Sequence, residues 1–251
     1  MHLRSLALAT WLLLPSCIGP TPARFEPGES TSDAQRARPF ADDSPFNVPI
    51  PTGPRLDERS AAMVQFLARR AGANALLYEF AIPIWDADAA TPRALVTCSM
   101  SPQWGACPFE EGAPIPALAH AHSGSDGAMV VVDWRAQRSY EFWQFRRQGP
   151  SLITSWGSVQ ALDGSGFSDR GSSTAAGASR LGGVVRTFEL EAGRIPHALV
   201  MSVDNSCART FRTPARKTDG ESTRDDCTPQ GARLQLDPSI ALDSNPRHHA
   251  R

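Results

Sequence analysis

Apolar residues in this chain fall into short runs that glycine, proline and aspartate interrupt, and this pattern is typical of a β-rich fold. The runs predicted to be strands cover residues 76–85, 93–99, 128–133, 139–146, 152–162, 184–190, 198–203 and 233–237. Apolar side chains recur at helical spacing in residues 57–73, which we predict to form one N-terminal helix ending near Gly72. The pattern therefore predicts an all-β fold, an antiparallel β-sandwich or barrel with a single helix.

One long segment, residues 163–183, separates two of these strands and is rich in glycine and serine. Its composition predicts a long loop that runs over the surface of the domain. Ordered loops of this length often carry functional residues, but flexible linkers have the same composition. The sequence leaves both interpretations open.

The N-terminus has the pattern of an export signal. Residues 5–14 form an apolar run of about ten residues, too short to span a bilayer. The run ends at Leu14-Pro15-Ser16-Cys17, which resembles the bacterial lipobox, so we expect residues 1–17 to be a signal peptide and Cys17 to be lipidated. The alternative is ordinary cleavage and secretion. Residues 18–40 read as a disordered tether, 41–243 as the sandwich domain and 244–251 as a disordered tail.

Composition and charge limit the classes of partner that this domain could bind. The folded part has about 200 residues, which suits a single β-domain, and we expect a monomer. The net charge of −1 provides no electrostatic basis for binding nucleic acid. We therefore expect contact with a membrane only through the lipid anchor.

Apart from Cys17, the chain has an even number of cysteines, which in an exported protein predicts two disulfides. Of the three possible connectivities, we favour the local one, which joins Cys98 to Cys107 and Cys207 to Cys227. Each bridge would close a loop that is poor in core residues. A zinc site is the competing interpretation, but the spacing lacks a close C-x-x-C pair.

Residues 124–143 predict a β-hairpin and contain the strongest candidate chemistry. The returning strand would place Glu141, Trp143 and Phe145 on one face. A sugar site needs such a pair, because an aromatic plane packs on a pyranose ring while a carboxylate accepts hydroxyl hydrogen bonds or transfers a proton. Asp126, before the first strand of the hairpin, is a second candidate for proton transfer. Alternatively, Glu141 pairs with an arginine on a solvated face and Trp143 fills the core.

Two further segments supply candidates. His197 precedes an apolar run and could act as a general base near neutral pH, although a structural histidine is the default interpretation at the start of a strand. Arg233 and Gln235 alternate in the last predicted strand, where they would face outward and line a polar groove that holds sugar. Exposed strands of most sandwiches have the same pattern.

Metal sites are weakly indicated. Residues 85–88 and 163–169 carry oxygen donors at alternate positions, as calcium loops do, but capped turns have the same composition. His120 and His122 would share one face of a strand and could bind a metal there. We expect no cofactor, with calcium as the alternative.

Several motifs together resemble a family of secreted bacterial proteins that is common in actinobacteria and soil bacteria. The resemblance covers residues 46–243 and rests on IPIWDADAATPR, WGACPFE, GSDGAMVVVD with YEFW, GRIPHALV, and KTDG with GARLQLDP. It implies an exported, jelly-roll-like domain of the kind that carbohydrate-active proteins share, without implying a particular activity. In the family pattern a histidine often follows GSDG, where this chain has Ala128, and relatives continue beyond GARLQLDP.

The sequence therefore favours an anchored or secreted carbohydrate-active β-sandwich, either a polysaccharide lyase or a hydrolase. Its proton-transfer residues would be Glu141, Asp126 and His197, and its sugar-binding residues would be Trp143, Arg233 and Gln235. A non-catalytic carbohydrate-binding domain and a structural or interaction lipoprotein are the alternatives. Convergence of these side chains on one concave surface would favour a sugar site.

Overall fold

Short strands form most of the regular structure, which confirms the β-rich fold that the sequence predicts. The computed structural model describes residues 33–69, 76–168 and 171–235, so the signal peptide, Cys17 and the C-terminal tail lie outside the described residues. The strands are β1 Ile84–Asp86, β2 Arg93–Ala94, β3 Val96–Cys98, β4 Ala113–Pro114, β5 Met129–Asp133, β6 Arg138–Trp143, β7 Arg146–Gln148, β8 Ser151–Thr154, β9 Trp156–Ala161, β10 Ser206–Phe211 and β11 Thr228–Gln230. The helices are α1 Asp33–Ala37, α2 Ser60–Ala68, α3 Ser101–Trp104 and α4 Thr187–Glu191.

The strands form a four-stranded sheet in the order β1-β5-β6-β9, a three-stranded sheet in the order β3-β8-β7, and two pairs, β2-β4 and β10-β11. The predicted hairpin is confirmed, with Val130 of β5 opposite Glu141 of β6. The prediction of purely antiparallel pairing is wrong, because β1 with β5, β3 with β8 and β10 with β11 are parallel. Long connections between these partners permit the crossover that parallel pairing requires.

The main core involves both of the larger sheets. Apolar side chains of both sheets meet in one buried cluster, which includes Val96, Cys98, Leu152, Met129, Val131 and Phe142. Phe109 stacks on Phe142 with the ring centroids 4.5 Å apart, and Gly157 leaves room for the Phe109 ring. Phe145 lies in the same core as Phe142, so the predicted face shared by Glu141 and Phe145 is wrong. The backbone of Gln144, with φ of 57°, interrupts the alternation of the strand.

A second apolar cluster covers part of the opposite face of the four-stranded sheet. It joins Phe40 and Phe46 to Val130 and Val132 of β5. Because Phe40 is buried and Arg36 of α1 donates to Asp86 Oδ2 at 2.6 Å, residues 33–40 belong to the folded unit. The predicted tether is therefore wrong for these residues.

Four other predictions about local structure are confirmed only in part or are wrong. The predicted helix is confirmed in a shorter form, since α2 covers Ser60–Ala68, and Gly72 lies outside the described residues. The predicted strand at 184–190 is instead loop followed by α4, because Glu189 Oε2 accepts the backbone N–H of Arg186 at 2.7 Å and ties the first turn of a helix. Residues 198–203 and 233–235 form no strand.

Both local disulfides are present, Cys98 with Cys107 and Cys207 with Cys227. The second joins β10 to the segment before β11, the strand that pairs with β10. Two disulfides indicate an oxidising, exported environment. Within the described ranges, no helix is both long enough and apolar enough to cross a membrane.

The bridge between Cys207 and Cys227 is expected to be a large contributor to stability. Because its cysteines are 20 positions apart, replacing both with serine should lower the free energy of unfolding by about 3 kcal/mol in the chain-entropy model. Urea unfolding followed by circular dichroism measures the change. The matched Cys98→Ser, Cys107→Ser variant opens a shorter loop and should lose less, and an unchanged midpoint for the Cys207→Ser, Cys227→Ser variant would contradict the prediction.

Candidate functional site

Half of one face of the four-stranded sheet is polar although it is buried. Ser139 and Glu141 of β6 lie beside Ser158 and Gln160 of β9, with Glu141 opposite Ser158 in the register. Residues 171–181 of the glycine- and serine-rich segment cover these side chains. The prediction of a surface loop is wrong in this part, since Ser173, Ser179 and Leu181 are themselves buried.

Glu141 holds the covering segment on the sheet. Its side chain is 0% exposed, and Oε2 accepts hydrogen bonds from the Ser173 hydroxyl and from the Arg180 backbone N–H, both at 2.8 Å. Oε1 accepts hydrogen bonds from the Ser179 hydroxyl, from Ser139 Oγ at 3.3 Å and from the Leu181 N–H at 3.5 Å. A buried carboxylate requires donors of this kind, and here serine hydroxyls and backbone amides supply them.

Arg180 extends from this anchor towards the end of the sheet. Its guanidinium donates to Ser173 O at 2.9 Å and to Asp126 Oδ2 at 3.0 Å. The other carboxylate oxygen of Asp126 accepts the indole N–H of Trp143 at 3.1 Å. The structure therefore brings together three residues that the sequence predicts for the site, Glu141, Asp126 and Trp143, with Arg180 as the link.

Trp104 adds an exposed aromatic ring to this network. It ends α3 inside the loop closed by Cys98 and Cys107, and it remains 50% exposed. Its ring stacks on Trp143, with centroids 6.1 Å apart and planes 18° apart, and it meets Trp156 edge-on at 5.6 Å. We call Trp104, Trp143, Asp126 and Arg180 the tryptophan site.

The turn at residues 124–127 places Asp126 in the tryptophan site. Asp126 O accepts the backbone N–H of Gln144 at 2.8 Å, and any Cβ on Gly124 would overlap the carbonyl oxygen of Glu79. The hydroxyl and the backbone N–H of Ser125 both donate to Glu79 Oε1, at 2.5 and 2.9 Å. The Ser125 hydroxyl, and then its N–H, hold the pKa of the Glu79 carboxyl below its ordinary value, so Glu79 is ionised at neutral pH.

His197 is not part of the tryptophan site but of a separate ionic cluster with Arg186 and Glu189. His197 Nε2 lies 2.9 Å from Glu189 Oε1, and Nδ1 lies 2.9 Å from Ala198 O. Arg186 Nη1 donates to Glu189 Oε1 at 3.2 Å, and Nη2 donates to Leu181 O at 2.6 Å. Burial lowers the pKa of the Arg186 guanidinium, and the charge of Glu189 opposes this shift. The cluster therefore holds the same covering segment at a second point.

Arg233 and Gln235 lie outside both groups. Arg233 donates to Val48 O at 2.6 Å, and Gln235 is exposed. Neither residue stands on a sheet, so the polar groove predicted on a final strand is wrong in this part. Leu236 and Asp237, which complete the predicted strand, are outside the described residues.

The calcium candidate at 85–88 has the geometry of a capped turn. Asp88 Oδ1 accepts the hydroxyl of Thr91 at 2.7 Å and the N–H of Ala90 at 3.0 Å, while Asp86 accepts N–H groups of Arg36 and Trp134. Asp169 of the second candidate lies outside the described residues. Among the residues that the structure does describe, no group of three or more histidine, cysteine, aspartate or glutamate side chains could hold a metal ion.

Sequence reasoning missed Trp104 and Arg180. A signal existed for each of them. Arg180 is the one charged residue in the run GSSTAAGASRLGG, and Trp104 is a large aromatic residue in a disulfide loop that contributes little to the core. The serines that bind Glu141 carry no such signal, because serine is equally common in solvated loops.

Comparison with known proteins gives no assignment. No protein-family model, curated protein or solved structure matches this chain. The resemblance to secreted bacterial proteins therefore remains a prediction. The tryptophan site itself is therefore the basis for a function.

Proposed function

We propose that this protein is an exported polysaccharide-binding β-domain and that its ligand binds at the tryptophan site. The observation that carries the proposal is the half-exposed Trp104 ring, stacked on Trp143, whose indole N–H donates to the Asp126 carboxylate. A flat aromatic ring packs against the apolar face of a pyranose, and an adjacent carboxylate accepts hydrogen bonds from its hydroxyls. The Trp104 ring is also held in place, because Trp143 and Trp156 contact it on two sides.

Binding is favoured over catalysis by the positions of the proton-transfer candidates. The side chains of Glu141 and His197 are both 0% exposed, and both are engaged by protein donors or acceptors. A general acid or base must reach a substrate oxygen within hydrogen-bond distance. In this geometry Glu141 and His197 support the covering segment, and Asp126 is the candidate carboxylate that solvent can reach.

The proposal includes the location and the architecture of the domain. The two disulfides support export, and the lipobox pattern at Leu14–Cys17 supports a lipid anchor on Cys17. The shared core between the four-stranded and three-stranded sheets supports a two-layer, jelly-roll-like sandwich. An anchored domain of this kind would hold polysaccharide at the cell envelope.

The test is loss of polysaccharide binding in the Trp104→Ala variant. We expect the wild-type protein to be retarded in native gels that contain a soluble polysaccharide, and the variant to bind about tenfold more weakly, which corresponds to about 1.4 kcal/mol of lost ring contact. Leu118→Ala, which removes an exposed apolar side chain outside the site, is the matched control. Circular dichroism checks that each variant is folded.

Two results would contradict the proposal. If no polysaccharide retards the wild-type protein, or if Trp104→Ala is retarded equally, the tryptophan site is not a sugar site. Release of reducing ends or of unsaturated uronates during incubation would instead identify an enzyme.

A further inference from the structure

A second exposed aromatic group lies in the segment that contacts the turn carrying Asp126. Residues 76–80 (LLYEF) project apolar side chains into solvent, and Tyr78 is 98% exposed while Phe80 is 48% exposed. Glu79, between these two residues, is bonded to Ser125, the residue directly before Asp126. The turn at 124–127 therefore contacts Glu79, the neighbour of Tyr78, through Ser125, and it contacts Trp143 through Asp126.

The backbone that presents Tyr78 is fixed despite the exposure of its side chain. Phe80 N donates to Leu76 O at 2.9 Å, and the Glu79 carboxylate is held by two donors of Ser125. The backbone of Gly124 packs directly against Glu79 O, where no larger residue would fit. An aromatic side chain on a fixed backbone loses little conformational freedom when it binds a ligand.

The accessible charges at this turn are negative. Glu79 is ionised at neutral pH, since hydrogen bonds from Ser125 lower its pKa, and the Asp126 side chain is 35% exposed. The positive partner, Arg180, is 9% exposed at its side chain and is already paired with Asp126. Such a surface accepts hydrogen bonds from sugar hydroxyls and repels the carboxylates of uronic acids.

We propose that the ligand is a neutral polysaccharide chain that crosses the turn, with one sugar ring on Trp104 and another on Tyr78. This inference rests on the proposed function and adds the charge class of the ligand and a second subsite. A lipid surface is the rival occupant of residues 76–80. It is disfavoured because anionic lipids attract basic groups, whereas Glu79 and Asp126 are acidic.

The experiment compares ligand length and ligand charge in the full chain. Native gels contain hydroxyethyl cellulose, galactomannan or xylan as neutral polysaccharides, and polygalacturonate as the acidic one. Disaccharides and hexasaccharides of the retarding polysaccharide then compete for binding. We expect Tyr78→Ala to weaken binding of the hexasaccharide about tenfold and to leave the disaccharide unchanged, whereas Trp104→Ala weakens both. Leu199→Ala, at another exposed apolar position, serves as the control.

The outcomes separate this inference from the proposed function. If Trp104→Ala loses binding and Tyr78→Ala binds the hexasaccharide normally, the tryptophan site stands and the second subsite is wrong. Preference for polygalacturonate overturns the neutral ligand class. If no gel retards the wild-type protein, both proposals fail. Sedimentation with phosphatidylglycerol and phosphatidylethanolamine vesicles that depends on Tyr78 assigns residues 76–80 to a membrane and overturns the inference.

Discussion

Replacing Glu141 with alanine is expected to lower the free energy of unfolding by about 4 kcal/mol. The change removes the acceptor for five donors, two of which are backbone N–H groups, of Arg180 and Leu181, that cannot turn away. Each buried donor left without a partner costs about 1–3 kcal/mol. The variant also leaves a cavity under the covering segment, which adds to the cost.

Glu141→Gln separates loss of charge from loss of volume. The glutamine keeps one acceptor oxygen, but its amide N–H₂ would face donors, so we expect an intermediate loss of about 2 kcal/mol. Urea unfolding measures both variants, and Glu111→Ala, at an exposed position, is the control. Because Arg180 lies in the segment that Glu141 holds, polysaccharide binding should weaken as well in conditions where the variant remains folded. Stability equal to wild type in Glu141→Ala would show that the covering segment does not depend on this carboxylate.

Replacing Glu189 with alanine is the second change with a large expected effect. Glu189 is 1% exposed at its side chain and contacts both Arg186 and His197, so its loss leaves a buried guanidinium without its counterion. Removing one partner of a buried ion pair costs about 3–5 kcal/mol. The first turn of α4 also loses the acceptor for the Arg186 N–H.

The double variant Arg186→Met, Glu189→Met tests this explanation. It removes both charges and preserves much of the buried volume, so we expect it to be more stable than Glu189→Ala. Thermal unfolding followed by circular dichroism compares the two. If the double variant is less stable than Glu189→Ala, the penalty does not come from the unpaired Arg186.

The tryptophan site was partly predictable. The hairpin followed from two alternating apolar runs around a turn, and the structure adds the register that places Glu141 opposite Val130. The sequence predicted that Glu141 lies in one site with Asp126 and Trp143. It did not predict that Glu141 accepts hydrogen bonds from a buried cage of donors, because the alternation pattern of a strand is the same whether a glutamate faces solvent or such a cage. The cage depends on Ser173 and Ser179, which are more than thirty positions along the chain from Glu141 and carry no local signal.

The errors in the fold have a similar origin. Residues 184–190 read as a strand, but Glu189 bonds the N–H of Arg186 and begins a helix there. The composition of residues 33–40 predicted a tether, but Phe40 packs in one buried cluster with Phe46, Val130 and Val132. In both cases a contact made in the folded chain outweighed the local preference.

By itself, the sequence determined the features that depend on local pattern: a β-rich domain, the central hairpin, one helix within residues 57–73 and two disulfides between neighbouring cysteines. Strand alternation, turn residues and short disulfide loops each depend on residues close together in the chain, so a few adjacent positions are enough to predict them. The tertiary structure alone decided that the glycine- and serine-rich segment lies buried on Glu141, that His197 joins a separate ionic cluster, and that Arg180 and Trp104 complete the tryptophan site. Burial and hydrogen-bond partners depend on which distant segments the fold brings into contact, and local spacing does not specify those contacts.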